Sequence, residues 1–366
     1  VTKIKVMKDT FYSIITGSGR YIPTQVIKNK KFLKNEFYNS NGEKIPKTNE
    51  EIVAKLQKIT EIEERRYVTD SQKASDIAFL AAEKALESNG TNKEELDYII
   101  VAQNFGDIRH NNIKSTYCPS IAAKVKHKLE IVNPYCVAYD ITFGCPGWIQ
   151  ALIQADYYIR SGEAKKILVI GTETLSRISD PHDIDSMIYS DGAGAVIVEA
   201  IKSEKPVGVL THLTRSDTLK HFHLLHMDKS YNPNYPADTL FLKMNGRKLY
   251  EYALKNVPQL VKDCVDKAGL TIGDIKKVLI HQANAKMDEA ILERVFKLYG
   301  KKEMPKDIMP MTIYRLGNNS VATIPILYDI VVKGEMEGQE LNSGDNIILT
   351  SVGAGTNISA IIYKMP

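Results

Sequence analysis

Cys145 is the residue of this sequence best placed to act as a nucleophile. It stands in Gly144-Cys145-Pro146-Gly147, after the apolar stretch 137–141. Ile149, Leu152, Ile153 and Ile159 then recur at helical spacing up to a stop signal at Gly162. The pattern predicts a buried strand, a tight turn and a buried helix, with the thiol at the helix start. Unpaired N–H groups and the positive end of the helix dipole favour a thiolate there, and a thiolate suits covalent catalysis. Gly144 and Gly147 let substrate and backbone approach closely. Pro146 suits an early helical position, where its missing N–H costs nothing. A structural cysteine on a strand-to-helix turn has the same surroundings, because free cysteine is often simply core.

Two further residue types complete a set. His281 lies in Val278-Leu-Ile-His-Gln-Ala-Asn284, and Asn318 in Leu316-Gly-Asn-Asn-Ser-Val-Ala-Thr-Ile-Pro325, on a glycine turn before a helix. Ser351-Val-Gly-Ala-Gly-Thr356 adds a glycine loop after the strand 346–349. Alone, each has a plain reading: a core or surface histidine, an ordinary Gly-Asn turn, a glycine-rich strand end. Together they place Cys, His and Asn at three strand or turn ends. A rival site is His221-Phe-His-Leu-Leu-His226, whose three imidazoles, with Asp228, have the donor types for zinc. No second ligand cluster accompanies it. The segment reads as an insertion forming a surface or dimer-contact loop, and no metal is expected.

The elements that must position these residues alternate. Segments 11–17, 98–102, 167–170 and 191–199 read as strands, the last in Asp191-Gly-Ala-Gly-Ala-Val-Ile-Val-Glu199. Segments 50–59, 75–88 and 121–129 read as helices, with 17–23 a turn and 103–118 a long loop. Buried strands alternating with helices mean an α/β architecture. The second half repeats the first at a constant offset: Gly90 matches Gly269, Glu95 matches Asp274, Leu96 matches Ile275 and Gln103 matches Gln282. A helix, a glycine cap, an acidic turn and a buried strand recur in register, so the fold is read as a duplicated α/β unit, with halves at 1–205 and 206–366. The second copy replaces Ala102 by His281 at a strand end, where open α/β folds carry ligand chemistry.

Composition narrows the class. Hydrophobic residues make up 43% and charged residues 25%, the balance of an ordinary globular protein. The net charge of +4 is spread along the chain. The densest basic stretch, 28–34, lacks the interleaved aromatics of a nucleic-acid surface. The four cysteines (Cys118, Cys136, Cys145, Cys264) form no CxxC, which argues against a zinc ribbon or disulfide framework and for a reducing, cytoplasmic setting. No apolar run approaches the ~20 residues of a membrane span. The start, Val1-Thr-Lys-Ile-Lys-Val-Met-Lys-Asp9, lacks the apolar core of a signal peptide.

These motifs carry a resemblance. Gly144-Cys145 with Gly147, Gly192-Ala-Gly-Ala195, His281-Gln-Ala-Asn284, Gly317-Asn318 with Ser320, and Gly353-Ala-Gly355 stand in the order and spacing of the ketoacyl-acyl-carrier-protein synthase III proteins. These belong to the thiolase-like condensing-enzyme superfamily. The resemblance runs from about residue 12 to the C-terminus. It implies a five-layered αβαβα fold of two similar halves, usually a homodimer, acting on acyl-carrier-protein or coenzyme A thioesters with no resident cofactor. It implies that Cys145 is acylated and that His281 and Asn318 handle the decarboxylating malonyl group. The N–H of Cys145 and the loop at Ala354 become the oxyanion hole. Gly246, Arg247 and Asn284 fall where the pantetheine arm lies, Cys118 falls at the acyl pocket, and Lys286 falls where a basic residue meets the acidic carrier protein.

The chemistry needs these types. A thiolate is both nucleophile and leaving group, and two donors stabilise the enolate oxygen left by decarboxylation. Departures from the family pattern bear on the substrate. Its usual Trp and Arg adenine clamp is matched here by Glu51 and Ile184, with a three-residue insertion near 55–58. Its usual pocket aromatic is matched by Cys118, and a common Phe by Val352. These changes favour a longer acyl chain delivered on a carrier protein, as in condensing enzymes of dialkylresorcinol and related pathways. A thiol hydrolase and a non-catalytic partner subunit are the readings from other classes.

Overall fold

The computed structural model describes residues 11–366, so the N-terminal stretch 1–9 read above lies outside the described residues. Along the first half run β1 (Phe11–Tyr21), β2 (Gln25–Lys28), α1 (Asn49–Thr60), β3 (Glu64–Tyr67), α2 (Ala74–Asn89), β4 (Tyr98–Ala102), β5 (Asp107–Arg109), β6 (Asn112–Thr116), α3 (Ile121–Lys128), β7 (Val137–Ile141), α4 (Gly147–Ser161), β8 (Lys166–Thr174) and β9 (Asp191–Lys202). Along the second run β10 (Gly208–Ser216), α5 (Thr218–His221), β11 (Leu225–Asp228), β12 (Phe241–Met244), α6 (Gly246–Lys267), β13 (Ile275–Ile280), α7 (Ala285–Leu298), α8 (Ile313–Leu316), α9 (Thr323–Val332), β14 (Asn346–Gly353) and β15 (Asn357–Lys364).

Two sheets carry the fold. One has the order β1-β9-β8-β4-β7 and the other β10-β15-β14-β13. Their shared part is the same in direction: two antiparallel pairings, then a parallel one. The sheets are therefore duplicates, with the edge strand β7 added to the first. The central strands are apolar on both faces because both faces are covered. In β4, Ile100 and Ala102 point into the layer between the sheets, while Ile99 and Val101 point to the outer layer of α2 and α3. In β14, Ile347 and Leu349 face the middle layer and Ile348 faces α6 and α7. Helices α4 and α9 fill the middle, which gives five layers in the order αβαβα. A tie between the sheets is the Ile15 N–H, which donates to Tyr363 Oη at 2.8 Å beside the bulge in β1.

Several expectations need correction. The turn at 17–23 is mostly strand: β1 runs on to Tyr21. Its glycines serve packing, since a Cβ on Gly19 would come within 2.3 Å of the Ala85 nitrogen in α2. The loop 103–118 contains the hairpin of β5 and β6. Strand β7 is half-buried rather than buried, with Val137 exposed, because it is a sheet edge paired with β4. No helix among the described residues is long and apolar enough to cross a membrane.

Candidate active site

Cys145 sits between β7 and α4, as the sequence predicts. Gly144 turns the chain with φ +66°, Gly147 N–H donates to Gly144 O at 2.9 Å, and α4 begins at Gly147 behind Pro146. His281 is the first residue after β13, 3% exposed, with its N–H on Thr350 O at 2.9 Å. Asn318 follows Gly317 (φ +59°) and is held through its backbone by Ile188 O and Ser190 N–H, at 3.0 and 2.9 Å. All three line one cavity of about 360 Å³, with Ser320, Val352 and Ala354.

The asparagine and the serine after it lock each other. Asn318 Oδ1 accepts a 2.8 Å hydrogen bond from Ser320 N–H, which leaves the Asn318 amide nitrogen as a donor without a partner among the described residues. Ser320 has φ +52°, a strained conformation for a residue with a side chain, and it brings Ser320 Oγ to 3.5 Å from Cys145 Sγ as donor. The loop after β14 closes on the same turn. A Cβ on Gly144 would come within 2.7 Å of Ala354 N, and one on Gly353 within 2.4 Å of Cys145 N.

The electrostatics differ from the expectation of a ready thiolate. Part of Cys145 faces the cavity, yet burial pushes its thiol up to about 11; the Ser320 hydrogen bond pulls it down and Glu173 pushes it further up. A hydrogen bond from the Cys145 backbone also opposes burial without cancelling it. Burial also pushes His281 down to about 4, so its imidazole is neutral at pH 7, and Nδ1 has no hydrogen-bond partner among the described residues. A thiolate–imidazolium pair is therefore not the resting state.

The remaining sequence candidates separate into two groups. Gly246, Arg247 and Asn284 line a second chamber of about 570 Å³, which shares Met244, Leu249, Ala283 and Met287 with the first. Asn284 also caps α7, accepting from Met287 N–H at 3.2 Å, and the largely exposed Arg247 pairs with Glu251 at 3.1 Å. Lys286 is exposed in the first turn of α7. Cys118 does not line the cavity. It is exposed ahead of α3, whose start is pinned by Asp140 accepting from Ile121 and Ala122 N–H, both at 2.8 Å. Glu51 does not face the second chamber either. It closes a capping box with Thr48, accepting from Thr48 N–H at 3.0 Å, and this turns Ile52 inward instead. Ile184 does line the chamber, beside Asp185.

Two neighbours, Asn104 and Glu173, were not assigned from sequence, and a third, His226, was read there only as a donor of the rival zinc site. Asn104 accepts from Gly144 N–H in the Cys145 turn and donates to Glu173, and His226 lines the cavity. A lone acid closing the apolar run 167–171 was the available signal for Glu173. His221 packs on the Tyr252 ring and His226 lies 4.0 Å from Asp228; among the described residues no group of three or more His, Cys, Asp or Glu is placed to hold a metal.

Residues 139–217 match the model for 3-oxoacyl-[acyl-carrier-protein] synthase III, and residues 265–365 match the model for its C-terminal part. The β-ketoacyl-[acyl-carrier-protein] synthase III of Neisseria meningitidis serogroup A is 32% identical, across 96% of this chain and 99% of that protein. The Cereibacter sphaeroides protein of the same name is 30% identical, across 97% and 99%. The solved synthase III structures from Thermus thermophilus and Aquifex aeolicus superpose with TM-scores of 0.79 and 0.77, at 30% and 29% identity, each across 96% of this chain and 99% of the other. With two matching sheets, three converging side chains and relatives aligned end to end, the chain belongs to the 3-oxoacyl-[acyl-carrier-protein] synthase III family.

Proposed function

We propose that this condensing acyltransferase carries its acyl group on Cys145 and uses His281 and Asn318 to hold the enolate formed when a malonyl-type thioester loses carbon dioxide. The observation that supports this is the meeting of Cys145, His281 and the amide of Asn318 in one cavity. In the first step Cys145 Sγ bonds to the thioester carbonyl carbon and the carbon–sulfur bond to the carrier breaks. The proton lost by Cys145 leaves with the carrier thiol. The N–H groups of Cys145 and Ala354 take the transient oxyanion. In the second step the malonyl carboxylate leaves as carbon dioxide, and its bonding electrons form the enolate. A neutral His281 N–H and the Asn318 amide donate to that oxygen. The carbanion attacks the acyl carbon and expels the Cys145 thiolate. No external base makes the carbanion, and no redox or metal cofactor is required by these steps.

An acyl-carrier protein is the proposed partner. Lys286 and Arg247 are exposed for an acidic surface, and Lys47 and Lys55 stand at the second chamber to meet a phosphate. A homodimer joined along β7 would cover its open edge, where Val137 is exposed. Four unpaired thiols suit a cytoplasmic setting. The test is intact mass of the chain with an acyl thioester, then with malonyl-carrier protein. The expected sequence is an acyl adduct on Cys145, then its loss with formation of a 3-oxoacyl product. Release of free acid without extension would return the protein to the hydrolase reading.

A further inference from the structure

A side chain outside these steps makes three bonds at the nucleophile turn. Asn104 follows β4 by two residues. Its Oδ1 accepts from Gly144 N–H at 2.9 Å, its Nδ2 donates to Glu173 Oε2 at 2.9 Å, and Nδ2 also reaches Ser320 Oγ at 3.3 Å. The Asn104 backbone N–H donates to the same Glu173 oxygen at 3.2 Å. The partners fix which end of the amide is which, since only oxygen can accept from Gly144 and only nitrogen can donate to the carboxyl. The Ser320 hydroxyl has one proton. With Asn104 Nδ2 occupying a lone pair, that proton is left to point at Cys145 Sγ.

Glu173 is 1% exposed on β8 and forms no ion pair among the described residues. A buried carboxyl without a cation is costly, so its presence calls for a function. We propose that Glu173 and Asn104 are positioning residues: together they fix the Gly144–Cys145 turn and direct the Ser320 hydroxyl at the nucleophilic sulfur. The groups that act on Glu173 are consistent with a carboxyl that keeps its proton. Burial pushes it up to about 8, the Asn104 hydrogen bonds pull it down, and Asp191 on the adjacent strand β9 pushes it up. Cys145 and Tyr117 also feel its charge. Below pH 8 it adds little charge beside the thiol; above that it opposes the thiolate.

The inference rests on Cys145 being the acyl nucleophile, but its test does not need the acyl reaction. The rate at which iodoacetamide alkylates Cys145 is followed by peptide mass in the full chain from pH 6 to pH 10. Asn104→Leu and Ser320→Ala should each slow alkylation roughly tenfold at a given pH, the loss of a hydrogen bond to a charged group. Glu173→Gln still offers Asn104 an acceptor but cannot ionise. The proposal expects the wild-type rate profile to flatten above pH 8 as Glu173 ionises, and Glu173→Gln should abolish that flattening. An unchanged profile in Asn104→Leu, whatever its melting temperature, overturns the proposal. So does an unchanged profile in Ser320→Ala, which serves if Asn104→Leu does not fold, or flattening that persists in Glu173→Gln. Failure here leaves acylation of Cys145 untouched, whereas failure of Cys145 to be acylated strikes the function itself.

Discussion

Gly353 lies against Cys145 with no room for a side chain: a Cβ there would stand 2.4 Å from the Cys145 nitrogen and 2.9 Å from its Cβ. The backbone of Gly353 is extended (φ −167°), so alanine is excluded by space and not by conformation. Gly353→Ala must push the nucleophile turn away from the Ala354 loop. A displacement near 1 Å at a reacting centre can cost roughly 10²-fold, and that is the expected loss in the rate of Cys145 acylation. Stopped-flow or quenched intact-mass kinetics measure it; a wild-type rate would mean that the loop yields instead.

His281 and Asn318 should separate the two half-reactions. Because Asn318 Oδ1 is taken by Ser320 N–H, Asn318→Asp keeps that contact while it replaces the donor by a second oxygen and adds a negative charge that opposes the enolate. Asn318→Asp and His281→Ala should each lower carbon dioxide release from malonyl-carrier protein by roughly 10²–10³-fold while self-acylation of Cys145 persists. Complete loss of acylation in His281→Ala would instead make His281 the activator of the thiol.

The three residues that meet in the cavity, Cys145, His281 and Asn318, were legible because their neighbours are glycines and turn residues, which mark strand ends in any α/β chain. The duplication was legible for the same reason: Gly90 and Gly269 adopt φ +69° and +72° at equivalent helix ends. What the sequence hid depends on partners far away in the chain. Gly17 and Gly19 look like a turn until helix α2 is laid on them. Whether Glu51 or Ile52 faces the second chamber is a one-residue matter decided by the Thr48 capping box. The Asn104–Glu173 pair joins residues 69 apart and has no local signature. Strand β7 reads as buried because its pattern cannot tell whether a further strand covers it.

Asp288 gives a stability prediction. It is 0% exposed in the first turn of α7, and both carboxyl oxygens lack a hydrogen-bond partner among the described residues. Burial raises it well above the usual carboxylate value, and the nearby Asn284 backbone, too poorly placed for a hydrogen bond to the carboxyl, opposes this only slightly. A carboxyl raised in the folded state stabilises only while protonated, so its contribution is greatest at acid pH. That contribution is lost as pH climbs from about 4 toward the folded value. Asp288→Asn cannot ionise, so its advantage over the wild type in urea unfolding should widen between pH 4.5 and pH 8. About 1–3 kcal/mol is expected at the upper end. Parallel pH curves for the two proteins would show that the carboxyl finds a partner in solution.

The second chamber bears on the primer. Ile52 and Ile184 face it at the clamp positions, and neither supplies a ring or a guanidinium to hold an adenine, although Tyr250 and Arg247 line the chamber elsewhere; the contribution missing at those two positions is about 0.5–2 kcal/mol. At 1.4 kcal/mol per tenfold, coenzyme A thioesters should bind about one order of magnitude more weakly than to a site with such a clamp. The carboxyl that faces the chamber is Asp185, pushed up to about 8 by burial and by Asp183, and it opposes nucleotide phosphates once ionised. A carrier-bound acyl group brings one phosphate and no adenine, so it loses little. Ile45, Leu56, Ile59 and Ile188 keep the chamber apolar, and Met244 and Leu249 continue that lining into the cavity of Cys145. Loading of Cys145 should therefore run fastest with octanoyl-carrier protein, then octanoyl-coenzyme A, then acetyl-coenzyme A, read as adduct mass against time. Efficient loading by acetyl-coenzyme A would show that Lys47, Lys55 and Arg247 suffice for the nucleotide and would make a two-carbon starter the natural primer.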